Sequence, residues 1–155
     1  MSELLYFEDF PVGRTFTSRD YELTADEIKS FAREYDWLPF HTDEEAAKDS
    51  FLGGLAASGW HVSAIVMRLI ADSYILSAAS MGSFGIEECK WLKPVRPGDV
   101  LTLRSVVVEA RVSAKRPEMG IVAMLWELFR ADGEKVTEVR GSNLFKTRAS
   151  EMSDV

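Results

Sequence analysis

Residues 59–76, GWHVSAIVMRLIADSYIL, are apolar on almost every side of a helix, and strand-like segments follow them. At helical spacing Val62, Ile65, Val66, Leu69 and Ile70 form one face. Ala64, Met67, Ala71 and Ile75 extend the apolar character around most of the remainder, leaving a thin polar strip of His61, Arg68 and Asp72. Such a helix is predicted to be buried on most sides. It is interrupted by Arg68 and too short to span a bilayer, so the rest of the chain has to enclose it.

The enclosing material is β-rich. Residues 84–93, 100–112, 120–130 and 135–146 read as strands, punctuated by the turn-forming stretches KPVRPGD, AKRPEMG and ADGE. Asp132-Gly133 is a hairpin signal. The pattern predicts an α+β architecture, an antiparallel sheet wrapped around a long central helix. At 155 residues and 46% hydrophobic composition, the chain supports one sizeable core, and a single domain over residues 1–155 is expected.

Upstream of the helix, FEDFPVGRTF reads as an extended segment with a turn at residues 11–13, then a strand to about Glu22. Thr24-Ala25-Asp26-Glu27 is a capping box for an amphipathic helix over residues 25–35, with Ile28, Phe31, Ala32 and Tyr35 on its apolar face. Pro39 forbids continuation, and a second capping box, Thr42-Asp43-Glu44-Glu45, predicts a short helix to about Lys48. Asp36 and His41 are thereby expected on an irregular link between two helices. Ser58 is the expected N-cap of the long helix, and residues 149–155 read as a frayed tail.

Charge narrows the partners. A net charge of −7 and a pI near 4.9 argue against nucleic acid and against an anionic membrane surface. Cys89 is the single cysteine, so no intrachain disulfide forms, and two histidines with scattered carboxylates suggest no metal site. The N-terminus, MSELLYFEDFPVG, has no basic and apolar leader pattern, and a soluble, cytoplasmic protein is expected.

The chemistry centres on YDWLPFHTDEEAA. Asp36 and His41 are five residues apart with Trp37, Leu38, Pro39 and Phe40 among the intervening residues. A carboxylate and an imidazole converging on one water can share the work of adding or removing it. Trp37, Leu38 and Phe40 would exclude solvent and line a passage for an apolar substrate. A turn aspartate beside a satisfied histidine is the alternative, and these residues alone leave it open. At the start of the long helix, the Gly59 N–H is a candidate oxyanion donor, with glycine allowing close approach of a substrate carbonyl. The alternative there is a simple Ser58 cap and a glycine that relieves crowding. His61 and Trp60 are further candidates for the same pocket, against a packed histidine held by a loop. Arg96 and Lys93 are candidates for a phosphate contact, against plain solvated charges.

FAREYDWLPFHTDEEAAKDSFLGGLAASGWH, a long apolar helix and KWLKPVRPGDVL together resemble the MaoC-like dehydratase family, which includes the (R)-specific enoyl-CoA hydratases. The family's Asp-x-x-Pro-x-His pattern falls on Asp36, Pro39 and His41. The resemblance implies a hotdog fold, a homodimer or higher homo-oligomer, and a tunnel near the subunit interface. It also implies water addition to a trans-2-enoyl-CoA, or removal from a 3-hydroxyacyl-CoA, without metal or redox cofactor. Asp36 and His41 would hold the water and Gly59 the thioester oxygen. Acyl-CoA or another acyl thioester is then the partner. Leu38 stands where family hydratases often have Asn, Ser58 where they often have His, and Met67 near a position where some have Ser. A hotdog acyl-CoA thioesterase and a non-catalytic acyl-thioester binding module are the competing expectations. The first is disfavoured because the long helix has no acidic residue before Asp72.

Overall fold

The computed structural model describes residues 3–149. From Ser150 onward, the expected frayed tail lies outside the described residues. In chain order the elements are β1 (Thr15–Thr17), β2 (Tyr21–Glu22), α1 (Ala25–Tyr35), α2 (Pro39–Thr42), α3 (Glu44–Lys48) and α4 (Gly59–Ser73). They continue with β3 (Ser80–Gly82), β4 (Ile86–Trp91), β5 (Val100–Val112), β6 (Met119–Arg130) and β7 (Lys135–Lys146). Short 3-10 turns sit at Phe7–Asp9 and Ile75–Ser77.

The strands form one seven-stranded sheet, β1-β5-β6-β7-β3, with β2 also on β5 and β4 also on β7. Every pairing is antiparallel. Alternation places Leu101, Leu103 and Val107 of β5 and Val122, Met124, Trp126 and Leu128 of β6 in the core. They meet Val62, Ile65, Val66, Leu69 and Ile70 of α4. Burying a side chain such as Leu69 contributes about 1.5–3 kcal/mol, so this seam is what makes the sheet hold the helix. A register shift between Val107 and Glu109 bends β5, helping the sheet curl around α4.

Several boundaries follow local rules. Thr24 caps α1 by accepting from the Glu27 N–H at 3.2 Å, and Ser58 caps α4 by accepting from the Trp60 N–H at 3.3 Å. Gly133, at φ +87°, turns β6 into β7.

Other boundaries differ from expectation. The first strand is split into β1 and β2 because the Ser18 hydroxyl, instead of a backbone group, accepts from the Leu103 N–H at 2.8 Å. The N-cap of α3 is Asp43, which accepts from Glu45 N and Ala46 N; the Thr42 hydroxyl donates back to the Leu38 carbonyl within α2. The link carrying His41 is therefore itself a helical turn. The strand expected over residues 84–93 is shortened to Ile86–Trp91, and β3 is an addition.

The long helix ends at Ser73, three residues early. Tyr74 leaves the helical conformation, and its hydroxyl accepts from Trp126 Nε1 and donates to Asn143 Oδ1, both at 2.9 Å. The helix is also less covered than expected: Trp60 is 66% and Met67 50% exposed, because the sheet covers one side of α4 and leaves the side toward β4 open. Among the described residues, no helix is long and apolar enough to cross a membrane.

Candidate active site

Helix α1 stops at Tyr35, and Asp36 follows as its C-cap, with φ −151° and its N–H on the Ala32 carbonyl at 2.9 Å. Pro39 then occupies the first position of α2, where its missing N–H costs nothing. This tight exit and re-entry turns two residues that are five apart toward one another. His41 Nε2 lies 3.5 Å from Asp36 Oδ2, with the histidine side chain 9% and the aspartate 20% exposed.

The other imidazole nitrogen determines what this pair can do. His41 Nδ1 is 2.6 Å from the Ala56 carbonyl oxygen. A carbonyl oxygen only accepts, so Nδ1 carries the proton, and in the neutral ring Nε2 presents a lone pair. Nε2 and the ionised Asp36 carboxylate are then two acceptors side by side, and a water can donate one O–H to each. When the imidazole gains a proton, Nε2–H faces the carboxylate as an ion pair. The same atoms can thus take a proton and keep it at the site.

Asp36 and His41 open onto a cavity of about 420 Å³ whose walls include Phe40, Ala57, Val62, Val95 and Trp91. Gly59 and Trp60 line it as well. The Gly59 N–H is one of the first free donors of α4 and makes no hydrogen bond to another described residue. Negative charge developing in the cavity would be favoured by this helix start.

The reason for glycine here differs from the expected one. A Cβ at Gly59 would lie 2.5 Å from the Trp91 indole, so the ring of Trp91 occupies the space that the missing side chain leaves. Trp91 was not among the candidates. Its signal in the sequence is the alternation of β4, which points Cys89 and Trp91 to one face, the face toward α4. Leu52 and Thr137 were missed too; the Thr137 hydroxyl is buried and has no hydrogen-bond partner among the described residues.

Five candidates lie outside the cavity. Trp37 and Leu38 are 70% and 46% exposed, because the α1–α2 turn that points Asp36, Phe40 and His41 inward sends these two outward. Ser58 is fully buried, and its hydroxyl serves the Trp60 N–H as a cap. His61 faces the other way, since two residues along a helix is a rotation of roughly 200°. Its ring stacks on Phe31 with centroids 4.6 Å apart, in a separate depression bordered by Glu27 and Glu34. Burial holds the His61 imidazole below its ordinary value, against a weaker opposing pull from Glu27, and Nδ1 has no partner among the described residues. Arg96 is committed to structure: its guanidinium donates to the Leu52 and Leu55 carbonyls and so pins the loop beneath the cavity. Lys93 lines the cavity and pairs with Glu134.

Comparison with known proteins adds independent findings. Residues 9–124 match the family model described as "MaoC like domain". The crystal structure of the MaoC-like dehydratase from Rhodospirillum rubrum is 39% identical and superposes with a TM-score of 0.84, covering 93% of this chain and 98% of that one. An uncharacterized protein of Bacillus subtilis, YdeM, is 29% identical over 139 residues, 90% of this chain and 97% of its own. An R-hydratase from Pseudomonas aeruginosa, in its unliganded form, is similar in fold, with a TM-score of 0.75 at 19% identity over 94% of this chain and 88% of that chain. The antiparallel sheet around α4 is the hotdog fold.

Proposed function

The chain belongs to the MaoC-like domain family, and on that premise we propose that it is a hydratase or dehydratase of acyl thioesters working through Asp36 and His41. The supporting observation is the placement of two proton acceptors 3.5 Å apart in the cavity that Gly59 lines at the start of α4. A water shared by His41 Nε2 and Asp36 Oδ2 adds through its oxygen to C3 of a trans-2-enoyl thioester. The C2=C3 electron pair moves toward the carbonyl, and the thioester oxygen gathers negative charge where the Gly59 N–H can meet it. The pair takes one proton from the water and returns one to C2, so it ends the cycle as it began. Dehydration is the same path reversed. The reaction requires no metal or redox group, and the CoA or other carrier thioester is the substrate.

A second copy of the chain completes the proposal. β4 pairs only with β7 among the described residues, and Ile86, Trp91 and the neighbouring Phe84 and Leu92 are exposed along it. An apolar edge of this kind is suited to pairing with its twin in a homodimer, with higher assembly built from dimers.

The deciding experiment is incubation with crotonyl-CoA while the conjugated-thioester absorbance and free thiol are followed together. Loss of absorbance without thiol supports the hydratase. Thiol release indicates a thioesterase, to which α4 lends little, since its acidic residue Asp72 sits near the far end and is held by Arg68 and Arg19. Binding without either change indicates a non-catalytic acyl-thioester module.

A further inference from the structure

The reactive cavity has a neighbour. Between the open side of α4 and β4 lies a mostly apolar groove of about 460 Å³, bordered by Val66, Met67, Ile70, Ile86 and Trp126. Trp60 borders both hollows. Trp91 borders only the reactive cavity, whereas its hydrogen-bond partner Ser63 borders only the groove. The hydrogen bond from the Trp91 indole to Ser63 therefore joins the lining of one space to the lining of the other, beside Trp60, which adjoins both.

This indole is held from three sides. Its face covers Gly59 so closely that even a methyl group there would overlap it. Its Nε1 donates to Ser63 Oγ at 3.1 Å, and Ser63 Oγ is in turn 3.5 Å from Cys89 Sγ. Trp60 meets it edge to face, with centroids 5.3 Å apart and planes at 78°. Gly59 and Ser63 are one helical turn apart, so Trp91 lies along the first turn of α4 as a partition.

We propose that Trp91 sets the acyl length the site accepts and restricts it to short-chain acyl thioesters. The inference rests on the proposed thioester chemistry of the cavity. A thioester carbonyl at Gly59, with its C3 at the Asp36–His41 pair, leaves the tail only the space of the reactive cavity. The apolar groove, which would suit a longer tail, lies behind the indole. Removing the partition joins the two spaces, and removing its Ser63 tether lets it swing.

The test compares kcat/KM for trans-2-enoyl-CoAs of 4, 8 and 12 carbons in the parent, Trp91→Ala, Trp91→Phe and Ser63→Ala. One methylene is typically worth about 10- to 200-fold in a closed apolar pocket, so the parent should prefer the 4-carbon substrate over the 8-carbon one by at least about 100-fold. Trp91→Ala should raise the 8-to-4-carbon ratio by at least about tenfold. Trp91→Phe and Ser63→Ala should give smaller shifts in the same direction, and they carry the test if the alanine variant does not fold. A parent that turns over 8 and 12 carbons as readily as 4, or an unchanged ratio in the folded variants, overturns the inference. Calorimetry with butyryl-CoA and octanoyl-CoA separates this from the chemistry itself. If no enoyl-CoA is hydrated, the proposed reaction fails; a butyryl preference that Trp91→Ala or Trp91→Phe relaxes still upholds the partition, and equal affinities in the parent remove it.

Discussion

His41 Nε2 faces Asp36 Oδ2 at 3.5 Å while its Nδ1 is committed to the Ala56 carbonyl at 2.6 Å. The backbone thus assigns the tautomer, which leaves Nε2 and the Asp36 carboxylate side by side. Asp36→Asn and His41→Ala are each expected to lower hydration by about 100- to 10000-fold. Because both act on one water in the proposed mechanism, the double variant should be little slower than the slower single one. Steady-state rates on crotonyl-CoA, with circular dichroism as the fold check, decide this; losses that multiply would mean separate roles.

Gly59→Ala and Gly59→Pro divide two duties of one residue. Both push against the Trp91 indole, since the added Cβ falls 2.5 Å from it, but only the proline removes the N–H. Overpacking of this kind typically costs about 1–3 kcal/mol, readable in the urea midpoint and tryptophan fluorescence of both variants. Only Gly59→Pro should add a further loss in kcat of about 100- to 1000-fold. Equal rates in two folded variants would remove the oxyanion role.

Leu38 occupies the N-cap of α2, and its side chain makes no cap bond. Asn there can accept from the α2 N–H groups, so Leu38→Asn is expected to stabilise the protein by up to about 1 kcal/mol and to steady the turn that carries His41. Hydration should rise with it. A variant with an unchanged melting temperature and rate would show that the turn is already fixed without a side-chain cap.

Much of this turn was legible beforehand, because helix ends are local matters. The cap of α1 at Thr24, the stop before Pro39, the start of α4 at Ser58 and the limits of β5 and β7 all follow from neighbouring residues. Contacts between distant segments were not legible. Trp91 and Gly59 are 32 positions apart, and neither residue announces the other. His61 stands two places from Gly59 in the chain yet faces Phe31 on the opposite side of the helix, so sequence proximity misled. Tyr74 ended the helix early through bonds to strands that form much later in the chain.

Those bonds support a stability prediction. Tyr74→Phe removes the hydroxyl that joins Trp126 Nε1 to Asn143 Oδ1 and leaves both groups short of a partner at a buried site. A loss of about 1–3 kcal/mol is expected from chemical denaturation. No measurable loss would mean that Trp126 and Asn143 re-pair with each other or with solvent.

His61 predicts how stability responds to acid. Burial depresses its folded-state pKa, with Glu27 opposing, so below the ordinary value of about 6.5 the unfolded chain binds a proton that the folded chain refuses. The contribution of the neutral, buried ring is complete above that pH and is lost as pH falls through it. Between pH 7.5 and 5.5 the parent should lose more stability than His61→Phe, which keeps the ring contact with Phe31. Parallel denaturation midpoints for the two proteins over that range would show that His61 is protonated equally in both states.

Cys89, the chain's lone thiol, sits on exposed strand β4 beside Ser63, the tether of Trp91. One maleimide per chain would therefore mark one known place. If a twin chain pairs along β4 and covers that sulfur, a bulky reagent reaches it only while the two copies are apart. The chain thus carries its own clock, and the alkylation rate would time the parting of the two copies without any engineered label.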